Sequence, residues 1–321
     1  MLSNLKRRIG VFAALAVLAA GVPALTTAPA SAAASTTLLL AVGNPAGYSA
    51  CPSGSAAAAG FTDTTSTDVD CIAYYGITTG VTATTYEPSA NVPRWQMALF
   101  IHRMFVPTGV AAAGLTAVPA FTDISGLSAE IQAAINALAS HAITLGTTAT
   151  TYSPDDTVTR EQMAMFLNRY ASIAKDHAGS AIAAIPAASG EYNYSDIAGT
   201  SWEGMESIIR LFNLGVTEGN CLAAACGTTY RPSDDITRAE MASMLTNLLN
   251  HTNARPAGVS IQTTSSNLVV GSVTVAINVR NADFSAQANT LVDEFYQLHD
   301  DTAGVAAQTP FTAVLGTCAA T

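Results

Sequence analysis

Charge is what this sequence has least of. Only 11% of its 321 residues are charged, and acids outnumber bases 23 to 13. A formal net charge of −10 repels phosphate backbones and anionic lipid, which argues against nucleic acid or a charged membrane surface as a partner engaged by bulk charge. Histidine is sparse too: His102, His141, His177, His251 and His299 fall into no pairing, and there is no H-E-x-x-H, C-x-x-C or spaced Cys/His cluster to suggest a metal. A G-x-S-x-G elbow, a phosphate-cradling glycine loop and a defensible Ser/His/Asp order are also missing, so neither an enzyme nor a cofactor is expected. After the first thirty or so residues no apolar run is long enough to span a bilayer.

What is present begins with an export signal over residues 1–32: Lys6, Arg7 and Arg8, the apolar run from Ile9 to Ala20, then small residues permitting cleavage after Ala30 or Ala32. The competing reading, a membrane anchor, suffers from the shortness of that run. Cleavage takes the net charge from −10 to −13, because three of the thirteen cations and none of the acids lie there. The expected product is a secreted protein with no membrane contact. Its 49% hydrophobic content suffices for a sizeable core and more than one domain. Five cysteines in an exported chain favour disulfides over thiol chemistry.

Self-similarity organises the middle of the chain. "ITTGVTATTYEPSANVPRWQMALFIHR" from Ile77 and "ITLGTTATTYSPDDTVTREQMAMFLNR" from Ile143 align without a gap, and a stretch from Val216 joins them after one insertion. Tyr86, Tyr152 and Tyr230 are each followed by proline two residues on and by Arg94, Arg160 and Arg238 eight residues on; methionine and alanine then follow at +3 and +4. Each copy opens with an aromatic and an aspartate: Phe61 and Asp63, Phe121 and Asp123, Tyr194 and Asp196. Between opener and turn lies a helical pattern, clearest at Ile131, Ile135 and Leu138; after the turn Met163, Phe166, Leu167 and Tyr170 share one stripe. Each copy therefore reads helix, loop, helix, with the loop glycine at Gly80, Gly146 and Gly219. The copies span 59–108, 119–172 and 192–252, behind a lead segment at 33–58, and Ala/Gly/Pro-rich linkers separate them.

The third copy's five-residue insertion carries Cys221 and Cys226, whose pairing would close the insertion on itself. Pairing of Cys51 with Cys71 would tie the lead segment to the first helix and contribute about 2–4 kcal/mol. Cys318 is left over.

With these motifs assembled, the chain resembles S-layer homology (SLH) domains, which typically come in threes. The resemblance rests on Phe-x-Asp, the Gly-Ile-Thr-x-Gly turn at Gly76 to Gly80, aromatic-x-Pro, and "ITRAEMA" at Ile236 to Ala242. It implies a mainly α fold, three helix-loop-helix repeats in a pseudo-threefold bundle. It also implies non-covalent anchoring to the cell wall by binding an anionic secondary polysaccharide, often pyruvylated. In that family the arginine of Thr-Arg-Ala-Glu lies in inter-repeat grooves and contacts the polymer. The matching positions are Arg94, Arg160 and Arg238, with Gly80, Gly146, Gly219 and Trp95 as further candidates. Only the third copy has the full motif; the second reads Thr159-Arg160-Glu161-Gln162 and the first Pro93-Arg94-Trp95-Gln96.

The arginine is odd on chemical grounds alone. Thr237 with Glu240 forms a capping-box pattern, which makes the threonine N-cap and the arginine first in the helix, against the positive end of the dipole. Either an external anion meets both the guanidinium and the free amides, or the arginine pairs with a neighbouring copy's Asp155, Asp156, Asp234 or Asp235. Those acidic pairs lack a calcium loop with a closing glutamate and read instead as dipole compensation. Trp202 is expected to pack; Trp95 divides evenly between packing and sugar stacking.

From Arg255 the pattern changes to alternation at Val273, Val275, Ile277 and Val279, predicting a small β-rich module over 256–321, with "NTLVDEFYQLHDD" ambiguous between strand and helix. Two alternatives to wall anchoring stay open: a self-associating structural surface-layer protein, and a secreted enzyme active in its C-terminal part.

Overall fold

The computed structural model describes residues 48–52, 55–112, 118–176, 182, 194–217, 229–263, 275–287, 291–296 and 312–317. The signal peptide, Gly219, Cys221, Cys226 and Cys318 lie outside these residues.

The described chain is mainly helical. The first segment contributes α1 (Thr67–Tyr74), α2 (Arg94–Arg103) and a short α3 (Phe105–Thr108); the second α4 (Ala129–Ser140) and α5 (Arg160–Ile173); the third α6 (Trp202–Leu214) and α7 (Arg238–His251). The helix starts follow local chemistry. Ser128, Thr159, Ser201 and Thr237 each take an N-cap position and accept a hydrogen bond from the amide three residues on. Thr237 and Glu240 form the complete reciprocal box. α6 stops at Gly215, whose φ of 76° provides the left-handed cap.

The helices pair across segments. α2 packs on α4, α5 on α6, and α7 on α1. The methionines at +3 and alanines at +4 explain how: Met97, Met163, Met241, Ala98, Ala164 and Ala242 are all fully buried. The methionine fills the space between helices, and the alanine lets backbones approach.

The C-terminal part forms two antiparallel strand pairs, β1 (Gly258–Thr263) with β2 (Val275–Arg280), and β3 (Leu291–Tyr296) with β4 (Thr312–Thr317). The ambiguous stretch is thus a strand where it is described. Contacts cross the expected boundary at residue 256. The Gln262 side chain accepts from the Ser49 amide at 2.9 Å and donates to the Ser49 carbonyl at 3.0 Å, and Phe284 lies 4.7 Å from the Tyr75 ring. Cys51 and Cys71 are disulfide-bonded, which fastens the lead segment to α1.

Candidate functional site

Each opener aspartate holds its own segment's turn. Asp63 accepts from the amides of Tyr86 and Glu87, Asp123 from those of Tyr152 and Ser153, and Asp196 from those of Tyr230 and Arg231, all within 2.7–3.1 Å. The second residue of each pair is Glu87, Ser153 or Arg231, with φ of 58°, 55° and 59°. A left-handed conformation in a non-glycine residue costs roughly 1 kcal/mol or more, and the carboxylate offsets it by taking the amides that the turn exposes. Those amide bonds, from Tyr86 first, hold the Asp63 carboxyl below the ordinary carboxylate range. At Asp123 burial pushes upward, but the amides of Tyr152 and Ser153 outweigh it and the net shift is downward.

The turn then receives the arginine of another segment. Arg94 Nε donates to the Tyr152 carbonyl at 2.8 Å, Arg160 Nε to that of Tyr230 at 2.7 Å, and Arg238 Nε to that of Tyr86 at 2.6 Å. Each guanidinium lies over the same tyrosine's ring, at 4.8, 4.8 and 4.4 Å from the centroid. In return the hydroxyls of Tyr152, Tyr230 and Tyr86 donate to the carbonyls of Arg94, Arg160 and Arg238. The second arm, Nη1, reaches the third helical residue of the neighbouring segment. The acceptor is Gln162 for Arg94 at 3.5 Å, Glu240 for Arg160 at 2.9 Å, and Gln96 for Arg238 at 2.8 Å.

Two expectations change here. The helix-start amides do not await an external anion: those of Arg94 and Trp95 donate to the carbonyls of Asp156 and Pro154, those of Arg160 and Glu161 to Asp234 and Pro232, and those of Arg238 and Ala239 to Ala90 and Pro88. These bonds also explain how α2 begins at Pro93, which has no side-chain acceptor. Nor, among the described residues, do the arginines form an ion pair with an aspartate; the acid they meet there is Glu240, because a side chain at the third helical position faces the seam while the aspartates sit ahead of the cap. Burial lowers the Arg94 and Arg238 pKa values yet leaves both guanidiniums charged.

Arg94, Arg160 and Arg238 are only 3–4% exposed, so they lie in the seams between segments. Gly80 and Gly146 adopt φ of 77° and 80°, and a Cβ on Gly146 would come within 2.6 Å of the Phe121 ring and of the Thr148 and Thr151 carbonyls. Glycine is required there by the turn itself. Trp95 is half-buried against the core. Trp202, expected to pack, is instead 75% exposed, because the first residue of α6 points away from the α5 face that buries Ile208 and Leu211.

Asn91, Thr157 and Asp235, each five residues after its tyrosine, come together. The Asp235 carboxylate accepts from Asn91 Nδ2 at 3.0 Å and from Thr157 Oγ1 at 2.8 Å. That contact, which joins all three segments, was not anticipated from sequence. The recurring Tyr-to-residue spacing was the available signal.

Residues 120–164 match the S-layer homology domain. The matched stretch runs from the opener Phe121 and Asp123 through Gly146 and Tyr152 to Arg160 and Ala164. The SLH match thus takes in one complete set of the residues above, and the segments at 59–108 and 192–252 carry the corresponding residues in the same order. No curated protein matches the chain. Among the described residues no helix is long and apolar enough to cross a membrane.

Proposed function

We propose that this is an exported surface protein held non-covalently on the cell wall by three SLH repeats that close into a pseudo-threefold bundle. The repeats take an anionic secondary wall polysaccharide, with pyruvylated sugars as the candidate anionic group, and the protein acts by binding rather than catalysis. The carrying observation is the SLH match at residues 120–164 together with the recurrence of its arginine–tyrosine clamp at all three seams.

In this reading Arg94, Arg160 and Arg238 form the positive floor of three seams, Gly80 and Gly146 keep the turns beside their seams free of side chain, Gly219 is the corresponding residue of the third repeat by sequence, and Trp95 flanks the first. Buried guanidiniums attract an anion into a groove more strongly than surface lysines would, because solvent screens them less. Three weak sites on one chain gain by effective concentration what each lacks in affinity.

The test is co-sedimentation of the purified chain with cell walls before and after acid removal of the secondary polymer. Binding that disappears with the polymer supports the proposal, and binding that survives stripping overturns it. A protein working chiefly by self-association would instead scatter light increasingly with concentration in the absence of walls.

A further inference from the structure

The junction between α7 and the β1–β2 strand pair contains two arginines that the clamp does not use. Arg255, fully buried, follows the end of α7; Arg280, 5% exposed, ends β2. Both reach the same three residues of backbone. Arg255 Nη1 donates to the Thr252 carbonyl at 3.1 Å and to that of Ala254, while Arg280 Nη2 donates to the Asn253 carbonyl at 2.9 Å and to the Asn253 side-chain oxygen. Two guanidiniums converging on one tripeptide are close enough to repel. That repulsion adds to burial, which is the larger effect, in bringing the Arg255 pKa down to about 10.

Neither arginine forms a direct ion pair among the described residues: the Arg255 guanidinium lies 5.0 Å from the Tyr48 ring centre, Tyr75 acts electrostatically on both arginines, and the Asp176 carboxylate acts electrostatically on Arg255 and offsets part of its charge. Three donors are shielded from solvent without an acceptor among the described residues, namely Arg255 Nε, Arg255 Nη2 and Arg280 Nε. Buried arginine is ordinarily paired, because an uncompensated charge in a low-dielectric interior costs several kcal/mol. An anion with two or more oxygens would satisfy these donors as a carboxylate satisfies the guanidinium fork.

We propose that Arg255 and Arg280 together hold one small oxyanion, of the phosphate or carboxylate class, which locks the β1–β2 strand pair and the lead segment at Tyr48 onto the helical part. The anion neutralises part of a buried double positive charge and occupies all three free donors. The site is separate from the three seams and independent of the wall-binding reading.

The experiment uses the full chain with no wall material, dialysed free of phosphate and held at constant ionic strength with sodium chloride. Added inorganic phosphate is expected to raise Tm by about 2–4 °C along a saturating curve, and Arg280→Gln to reduce that rise several-fold. Equilibrium dialysis of labelled phosphate against the unaltered chain should give one ion per chain at saturation, a readout that stands even if the variant does not fold. A phosphate curve that coincides with the chloride control, dialysis showing no saturable site, or a site that persists unchanged in Arg280→Gln overturns the proposal.

Discussion

Tyr230 and Arg160 grip each other at both ends: the tyrosine hydroxyl donates to the Arg160 carbonyl at 3.1 Å while Arg160 Nε donates to the Tyr230 carbonyl at 2.7 Å. The guanidinium lies over the ring between these two bonds, 4.8 Å from its centre. The pair joins the second segment to the third. Its counterparts at Tyr152 with Arg94, and at Tyr86 with Arg238, join first to second and third to first. An arginine at a helix start, disfavoured by the local dipole, is thus retained by a neighbour's carbonyl, ring and third helical side chain.

The three clamps are chemically unequal. Arg160 meets the charged Glu240 at 2.9 Å, whereas Arg94 meets the neutral Gln162 at 3.5 Å. Arg160→Ala is expected to cost about 2–4 kcal/mol, since it breaks a largely buried ion pair and leaves the Tyr230 carbonyl without a donor. Arg94→Ala should cost less. Urea unfolding midpoints of the two variants check the order, and equal losses would contradict it. In wall co-sedimentation Arg160→Ala and Arg238→Ala should likewise lose more than Arg94→Ala.

Gly146→Ala should destabilise by about 2–3 kcal/mol, because the backbone holds a φ of 80° and the added methyl would meet the Thr148 and Thr151 carbonyls at 2.6 Å. Gly126→Ala provides the control: nothing lies within 4 Å of its Cβ position, and its stability should change by less than about 0.5 kcal/mol. Thermal melts of the pair decide whether the loop glycine serves the turn.

Acid should loosen the turns. Asp63, Asp123 and Glu240 are all held below their ordinary pKa values when folded. For Asp63 the largest cause is the Tyr86 amide, whereas for Asp123 and Glu240 burial pushes the other way and hydrogen bonds outweigh it. A depressed folded pKa means a contribution complete above the unfolded value, about 4 for a carboxylate, and lost as pH falls through the folded value. Tm should therefore be level from about pH 7 to 5 and fall below about pH 4. Asp123→Asn should lower the plateau, by about 1 kcal/mol or less given its exposure, and reduce the slope below it.

Reduction should release the lead segment. Cys51 and Cys71 close a loop of sequence separation 20, for which chain entropy predicts about 2–4 kcal/mol. Dithiothreitol or Cys51→Ser with Cys71→Ser should lower Tm, and an unchanged Tm would show the unfolded chain to be little constrained by the bond.

Much of the fold was legible in residues 59–252. The 3.6-residue stripes placed α4 and α5, and the threonines before Arg160 and Arg238 marked their caps, because both signals are local. Trp202 was misread for the same reason: a large aromatic at a helix start looks like core until the direction of its neighbours is known. The partners of the arginines were not legible. Asp155, Asp156, Asp234 and Asp235 were the acids of neighbouring copies expected as partners, yet the acceptors met in space are Glu240, two glutamines and the tyrosine carbonyls.

The sequence by itself determined the repeat, the threonine-capped helix starts and the residue types at each seam, and it suggested the Cys51–Cys71 pairing, since those depend on spacing, capping chemistry and composition. Only the tertiary structure decided that helices pair between segments, that the arginines point inward over another segment's tyrosine, and that Arg255 and Arg280 meet. Those outcomes depend on which surfaces bury against each other, a property of the whole packed chain that no single stretch of sequence contains.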